Sequence, residues 1–185
     1  MSGDGARLIS AATDGDLPTV KAFLNNKVDV NSRDWDNLTA LIAASSKGQL
    51  ETVKFLITKG SSVNLRDKDN VTALMEASVG GHLPVVEHLV KNNAEVDAVA
   101  ASGISALWLA SGEGKLSVVN YLLQSKKADP NIKRTDGVTT LMAACSGGHE
   151  EVVRALLGAK ASVAGKVGRH EWTCIFINNS TLRSL

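Results

Sequence analysis

Two cysteines, four histidines and a set of closely spaced aspartates are the side chains of this 185-residue chain that could support catalysis or hold a metal. Two cysteines, Cys145 and Cys174, make neither a disulfide framework nor a zinc site. Cys145 also stands where the surrounding pattern calls for a small packed residue, so it reads as a core thiol. His82 and His149 each follow a glycine at a turn, where an imidazole bonds nearby backbone, and no second ligand lies at zinc spacing. Asp34, Asp36, Asp67 and Asp69 read as turn formers before general acids. Neither a glycine-rich phosphate loop nor a nucleophile elbow is present, and no carboxylate pair has a plausible cleft. The chemistry-bearing residues therefore argue against an enzyme, a cofactor or a metal, and for recognition.

The elements that position these residues repeat. Gly15, Gly48, Gly81, Gly114 and Gly148 are spaced 33, 33, 33 and 34 residues apart, and a period of that length marks one recurring supersecondary unit. Thr39, Thr72, Ser105 and Thr139 precede apolar runs and suit helix N-caps. The recurring glycines suit the left-handed position that closes the same helix. A second helix follows each glycine, with Pro18 or Pro84 early in two of them, where proline costs no hydrogen bond. Val85, Val86, Leu89 and Val90 supply the buried stripe of one such helix. Asn37, Asn70, Gly103 and Gly137 end the turns between units, a position needing positive φ. Helices this short are marginal alone, so stability must come from stacking neighbours.

One unit runs Asp67-Lys68-Asp69-Asn70-Val71-Thr72-Ala73-Leu74-Met75, then Gly81-His82, Val85-Val86, Leu89-Val90, Asn93-Ala94 and Val96-Asp97. This resembles the ankyrin repeat over about Ala6 to Val163. The resemblance implies an all-α solenoid of stacked helix-turn-helix units joined by β-hairpin-like loops. The units divide as a capping repeat at 1–33, full repeats at 34–66, 67–99, 100–133 and 134–166, and a divergent tail at 167–185. The histidine that ties neighbouring turns together in the family is replaced by Ile42, Met75, Trp108 and Met142, so apolar packing between units is expected to take over that role. The leading aspartate is present at Asp34 and Asp67 but becomes Ala100 and Arg134, which predicts looser third and fourth hairpins. An extra residue falls near Lys126–Pro130, and Lys126, Lys127, Lys133 and Arg134 read as a small solvated basic patch.

Composition narrows the function further. The chain is 44% hydrophobic with a net charge of +1, so it is not mainly disordered and sets up no field to gather nucleic acid. No stretch approaches a membrane helix, and the start lacks the basic and apolar regions of a secretory signal. An intracellular, cytoplasmic location is expected, with organelle import after loss of a transit peptide left open. At the far end, His170 to Ile175 looks like the start of another unit without its second helix. The tail reads as an improvised cap, a docking segment or an altered end.

In this family, partners contact the hairpin tips and the exposed side of the first helix. The resemblance therefore places a partner-binding surface at Trp35, Asp36, Leu38, Ser46 and Lys47 in the first full unit, and at Lys68, Asp69, Val71 and Val79 in the next. It adds Ala101, Ser102, Ile104 and Glu113, then Thr135, Asp136 and Val138. Leu38, Val71, Ile104 and Val138 would form an apolar ridge, and Trp35 is the sharpest single candidate. Trp108 reads as packing between units. The expected function is a non-enzymatic protein-interaction module whose partner is another protein, the chain being a monomer alone or a subunit of a hetero-complex. The alternatives are a structural subunit or assembly factor of a larger complex, and a regulatory or targeting fragment of a larger enzyme.

Overall fold

The computed structural model describes residues 3–125, 128–167 and 170–173. Five helix pairs follow one another among them. The first helix of each pair is α1 (Gly3–Asp14), α3 (Ala40–Ser46), α5 (Ala73–Gly80), α7 (Ala106–Gly112) or α9 (Thr140–Ser146). The second is α2 (Leu17–Asn25), α4 (Leu50–Thr58), α6 (Leu83–Lys91), α8 (Leu116–Gln124) or α10 (Glu150–Gly158).

Local chemistry sets the ends of these helices. Thr39, Thr72, Ser105 and Thr139 each accept, through the side-chain hydroxyl, the backbone N–H three residues on at 3.2–3.3 Å. Pro18 and Pro84 lie in the first turns of α2 and α6. Each pair turns at a glycine, and the five glycines share φ between +67° and +72° or +73° (Gly15, Gly48, Gly81, Gly114, Gly148). An alanine there would be strained.

The stack forms because neither helix of a pair can bury its apolar stripe alone. Successive first helices pack much more closely than successive second helices, so the stack curves with the first helices inside. Their small residues permit this approach: Ala40, Ala44, Ala73, Ala77, Ala106, Ala110 and Ala144 are buried. One continuous core results, running from Leu8 through Leu41, Leu74 and Leu107 to Leu141 and closed from the other layer by Val20, Val53, Val86, Val119 and Val153. Ile42 and Met75 are almost wholly buried, which is the apolar packing expected where the family's histidine is missing.

Between pairs the chain makes hairpins, closed by bridges at Arg33–Thr39, Arg66–Thr72, Val99–Ser105 and Lys133–Thr139. Asn37, Asn70, Gly103 and Gly137 take φ of 58°, 61°, 82° and 92° at their tips. Beyond α10, strands β1 (Ala164–Val167) and β2 (His170–Thr173) pair antiparallel. The residues that read as the start of another unit begin with a strand, 170–173, paired with β1. Two strands with only residues 168–169 between them satisfy their backbone groups with each other. The readings of the tail at 167–185 as a cap, a docking segment or an altered end fall largely on residues 168, 169 and 174–185, which lie outside the described residues, as do Lys126 and Lys127.

Candidate partner-binding face

The hairpin tips form one edge of the curved surface, and backbone bonds between neighbouring tips hold them in line. The N–H of Lys68 donates to the carbonyl of Asp36 at 2.8 Å, Ala101 to Asp69 at 2.8 Å and Thr135 to Ser102 at 2.9 Å. Six residues before each of these donors, a second N–H donates to a side chain of the preceding unit. Asn31 Oδ1 accepts from Ser62, Asn64 Oδ1 from Glu95 and Asp97 Oδ1 from Asp129, each at 2.9 Å.

Inside each tip the leading aspartate is the organiser. Asp34 Oδ1 accepts the N–H groups of Asp36 and Leu38 at 2.9 Å, and Asp67 Oδ1 those of Asp69 and Val71 at 2.8 Å. With Ala100 the third tip keeps only its backbone bonds. The fourth is repaired differently: Arg134 grips Asp136 with two nitrogens, and Asp136 Oδ1 accepts the Val138 N–H at 3.2 Å. The guanidinium holds the Asp136 carboxyl down at about 2. Arg134 is thus part of an ion pair and not of a free basic patch, because its carboxylate partner lies two residues on. It also lies 5.7 Å from the centre of the Trp108 ring.

Trp35 projects from the first tip with 89% of its surface exposed and does not pack over the unit below. Asp36 and Lys68 on adjacent tips pair at 2.7 Å, both well exposed, a geometry worth little on its own. Asp69, Ala101, Ser102, Thr135, Lys47 and Glu113 are exposed, while Leu38, Val71, Ile104, Val138, Ser46 and Val79 are half-buried. Leu38, Val71 and Ile104 rest against the core, so the aligned row is sunk between the tips instead of standing out as a ridge.

Glu76 on α5 was not singled out by sequence, although it is the one charge in a row with Ala43, Leu109 and Ala143. It is half-buried on the same surface. Burial raises its carboxyl and the neighbouring Asp67 adds to the effect, with Lys47 opposing. Trp108 is half-buried, and its buried Nε1 has no hydrogen-bond partner among the described residues.

His82 and His149 bond backbone, as their turn positions implied, but reach into the preceding unit: Nε2 meets the carbonyl of Ser46 at 3.2 Å and that of Gly112 at 2.9 Å. Cys145 is half-buried against the core. An open cleft of about 440 Å³ between the first two hairpins, lined by Arg33, Asn64 and Arg66 among others, is polar. It does not resemble the apolar enclosure of a small-molecule site. No group of three or more His, Cys, Asp or Glu among the described residues is placed to hold a metal.

A family profile described as ankyrin repeats (3 copies) matches residues 8–100 and 107–177. The chain belongs to the ankyrin repeat family. The gap in the match, residues 101–106, falls on the third ankyrin hairpin, one of the two without the leading aspartate. No curated protein matches the chain. Ankyrin repeats are in general protein-interaction modules, and among the described residues no helix is long and apolar enough to cross a membrane.

Proposed function

We infer that this ankyrin stack is a non-enzymatic adaptor that holds another protein against its tips and first helices, with units dividing at residues 34, 67, 100 and 134. The observation that carries the reading is Trp35. Among residues 3–125 and 128–163, Trp35, Val99 and Val163 are the large exposed apolar side chains, and Trp35 is far the most exposed. It stands on a turn fixed by Asp34 and Asn37, so holding it there costs a partner little conformational entropy. Aromatic anchors of this kind are enriched among the few residues that dominate binding energy. Lys47, Asp69 and Glu113 are exposed and Val79 is half-buried on the proposed face, and these side chains differ from unit to unit.

The test is capture from a cell extract by the immobilised protein and by variants of equal thermal stability. Trp35→Ala and a Lys47→Ala, Val79→Ser pair are expected to lose partners that Glu87→Ala, on the second-helix side, retains. Equal recovery by all of them would remove the assignment to this face.

A further inference from the structure

The three tip-to-tip junctions obey one rule, and among the described residues nothing satisfies it at the first tip. In each junction two backbone N–H groups six residues apart are taken by the preceding unit: Ser62 and Lys68, Glu95 and Ala101, Asp129 and Thr135. The acceptors are equally regular. An Asn or Asp side chain comes first, and a tip carbonyl follows five residues later, as in Asn31 with Asp36, Asn64 with Asp69, and Asp97 with Ser102. The corresponding donors of the first tip are Asp29 and Trp35. Among the described residues neither N–H has an acceptor.

We propose that this open edge is a second docking site, which takes a hairpin loop of a partner protein as the next member of the tip ladder. It rests on the reading of the chain as an interaction module and shares Trp35 with it, but adds the open edge at Asp29, away from the first helices. The occupant carries an Asn or Asp whose side chain accepts the Asp29 N–H, and five residues later a turn carbonyl that accepts the Trp35 N–H. The Trp35 indole, fully presented at the same edge, covers the apolar side of that loop. Continuity with the existing junctions is the argument, since edges with free N–H groups in fixed register take added segments by main-chain bonding while side chains select the sequence.

A cyclised peptide of residues 63–72 presents Asn64 and Asp69 in the required register and serves as the probe. Its binding to the full chain is followed through backbone amide signals. Asp29 and Trp35 are expected to shift together, with a Kd on the order of 1 mM or tighter. Trp35 occupies the second position of a turn closed by the Asn37 N–H and the Asp34 carbonyl at 3.1 Å, where proline is favoured. Trp35→Pro therefore keeps the turn and deletes the donor, and is expected to weaken the peptide about tenfold or more, each 1.4 kcal/mol being a factor of ten. A Val79→Ser variant is expected to leave peptide binding unchanged, which separates this site from the concave face. Absence of binding, shifts confined to other residues, or unchanged affinity in Trp35→Pro would overturn the proposal. So would concentration-dependent dimerisation that shifts Asp29 and Trp35 without peptide, which would assign the edge to a second copy.

Discussion

The imidazole of His82 reaches 36 residues back and meets the Ser46 carbonyl at 3.2 Å, so one side chain fastens the turn of one unit to the helix end of another. The carbonyl can only accept, so Nε2 carries the proton. His149 repeats the contact with Gly112, and Gln49 makes a longer one, 3.4 Å, to Thr13. At the remaining junction the equivalent residue is Lys115, whose stem lies over Gly81 without such a bond.

Removing the fastener should cost what one buried cross-unit hydrogen bond contributes. His82→Ala and His149→Ala are each expected to lose about 1–2 kcal/mol, and Lys115→Ala less, because only stem packing is lost. Gly48→Ala should be at least as harmful, since its φ is +69° and a Cβ would come 2.5 Å from the His82 ring. Urea unfolding of the four variants checks the ranking.

Asp67→Ala removes the acceptor of two tip N–H groups and is expected to cost about 1–2 kcal/mol. Asp69→Ala, two residues on and exposed, should stay within about 0.5 kcal/mol of the parent. Equal losses would show that charge near the tip matters more than the bonds, as read from thermal melts at high and low salt.

The half-buried Glu76 gives a pH signature. Its folded pKa lies above the unfolded value, so the native state binds the extra proton between the two, and stability falls as pH rises through that window. Glu76→Gln is therefore expected to be more stable than the parent at neutral pH, with the advantage shrinking as pH falls through the raised folded pKa toward 4.5 and gone below it. Asp136 has the opposite sign. Its contribution is present above the unfolded value of 3.8 and is lost as pH falls through about 2. Melting temperatures of parent, Glu76→Gln and Asp136→Asn across pH 2–7 test both directions.

Trp108→Phe should be nearly neutral, within about 1 kcal/mol, because it deletes an unpaired buried N–H along with some ring area. Arg134→Ala should lower stability through loss of the guanidinium–indole contact and of the Asp136 pair. It should also shift the Trp108 emission, which fluorescence measures on a Trp35→Phe, Trp172→Phe background.

Features that depend on a few neighbouring residues were legible in the chain. The hydroxyl caps at Thr39 and Thr72, the left-handed glycines, the Asp34 and Asp67 turns and the valine stripe of α6 were all readable, because each is set by chemistry within about four residues. The fourth hairpin was not. Its lost aspartate is replaced by the Arg134–Asp136 pair, and each residue taken singly looks like an ordinary surface charge. Glu76 could have been found from its odd place in an otherwise uncharged row. The pairing of β1 with β2 was not legible, because the residue types of 164–173 do not record which segment each strand meets.

The sequence by itself determined the period, the helix pairs and the line of tips, since spacing of caps, glycines and apolar residues is a one-dimensional property. Only the tertiary structure decided that the first helices crowd together and curve the stack, that Trp35 stands clear while Leu38 sinks, and that the N–H groups of Asp29 and Trp35 find no acceptor among the described residues. The reason is that every non-proline residue carries the same backbone donor. Whether that donor is satisfied depends on which other part of the chain arrives beside it, and no residue type records that.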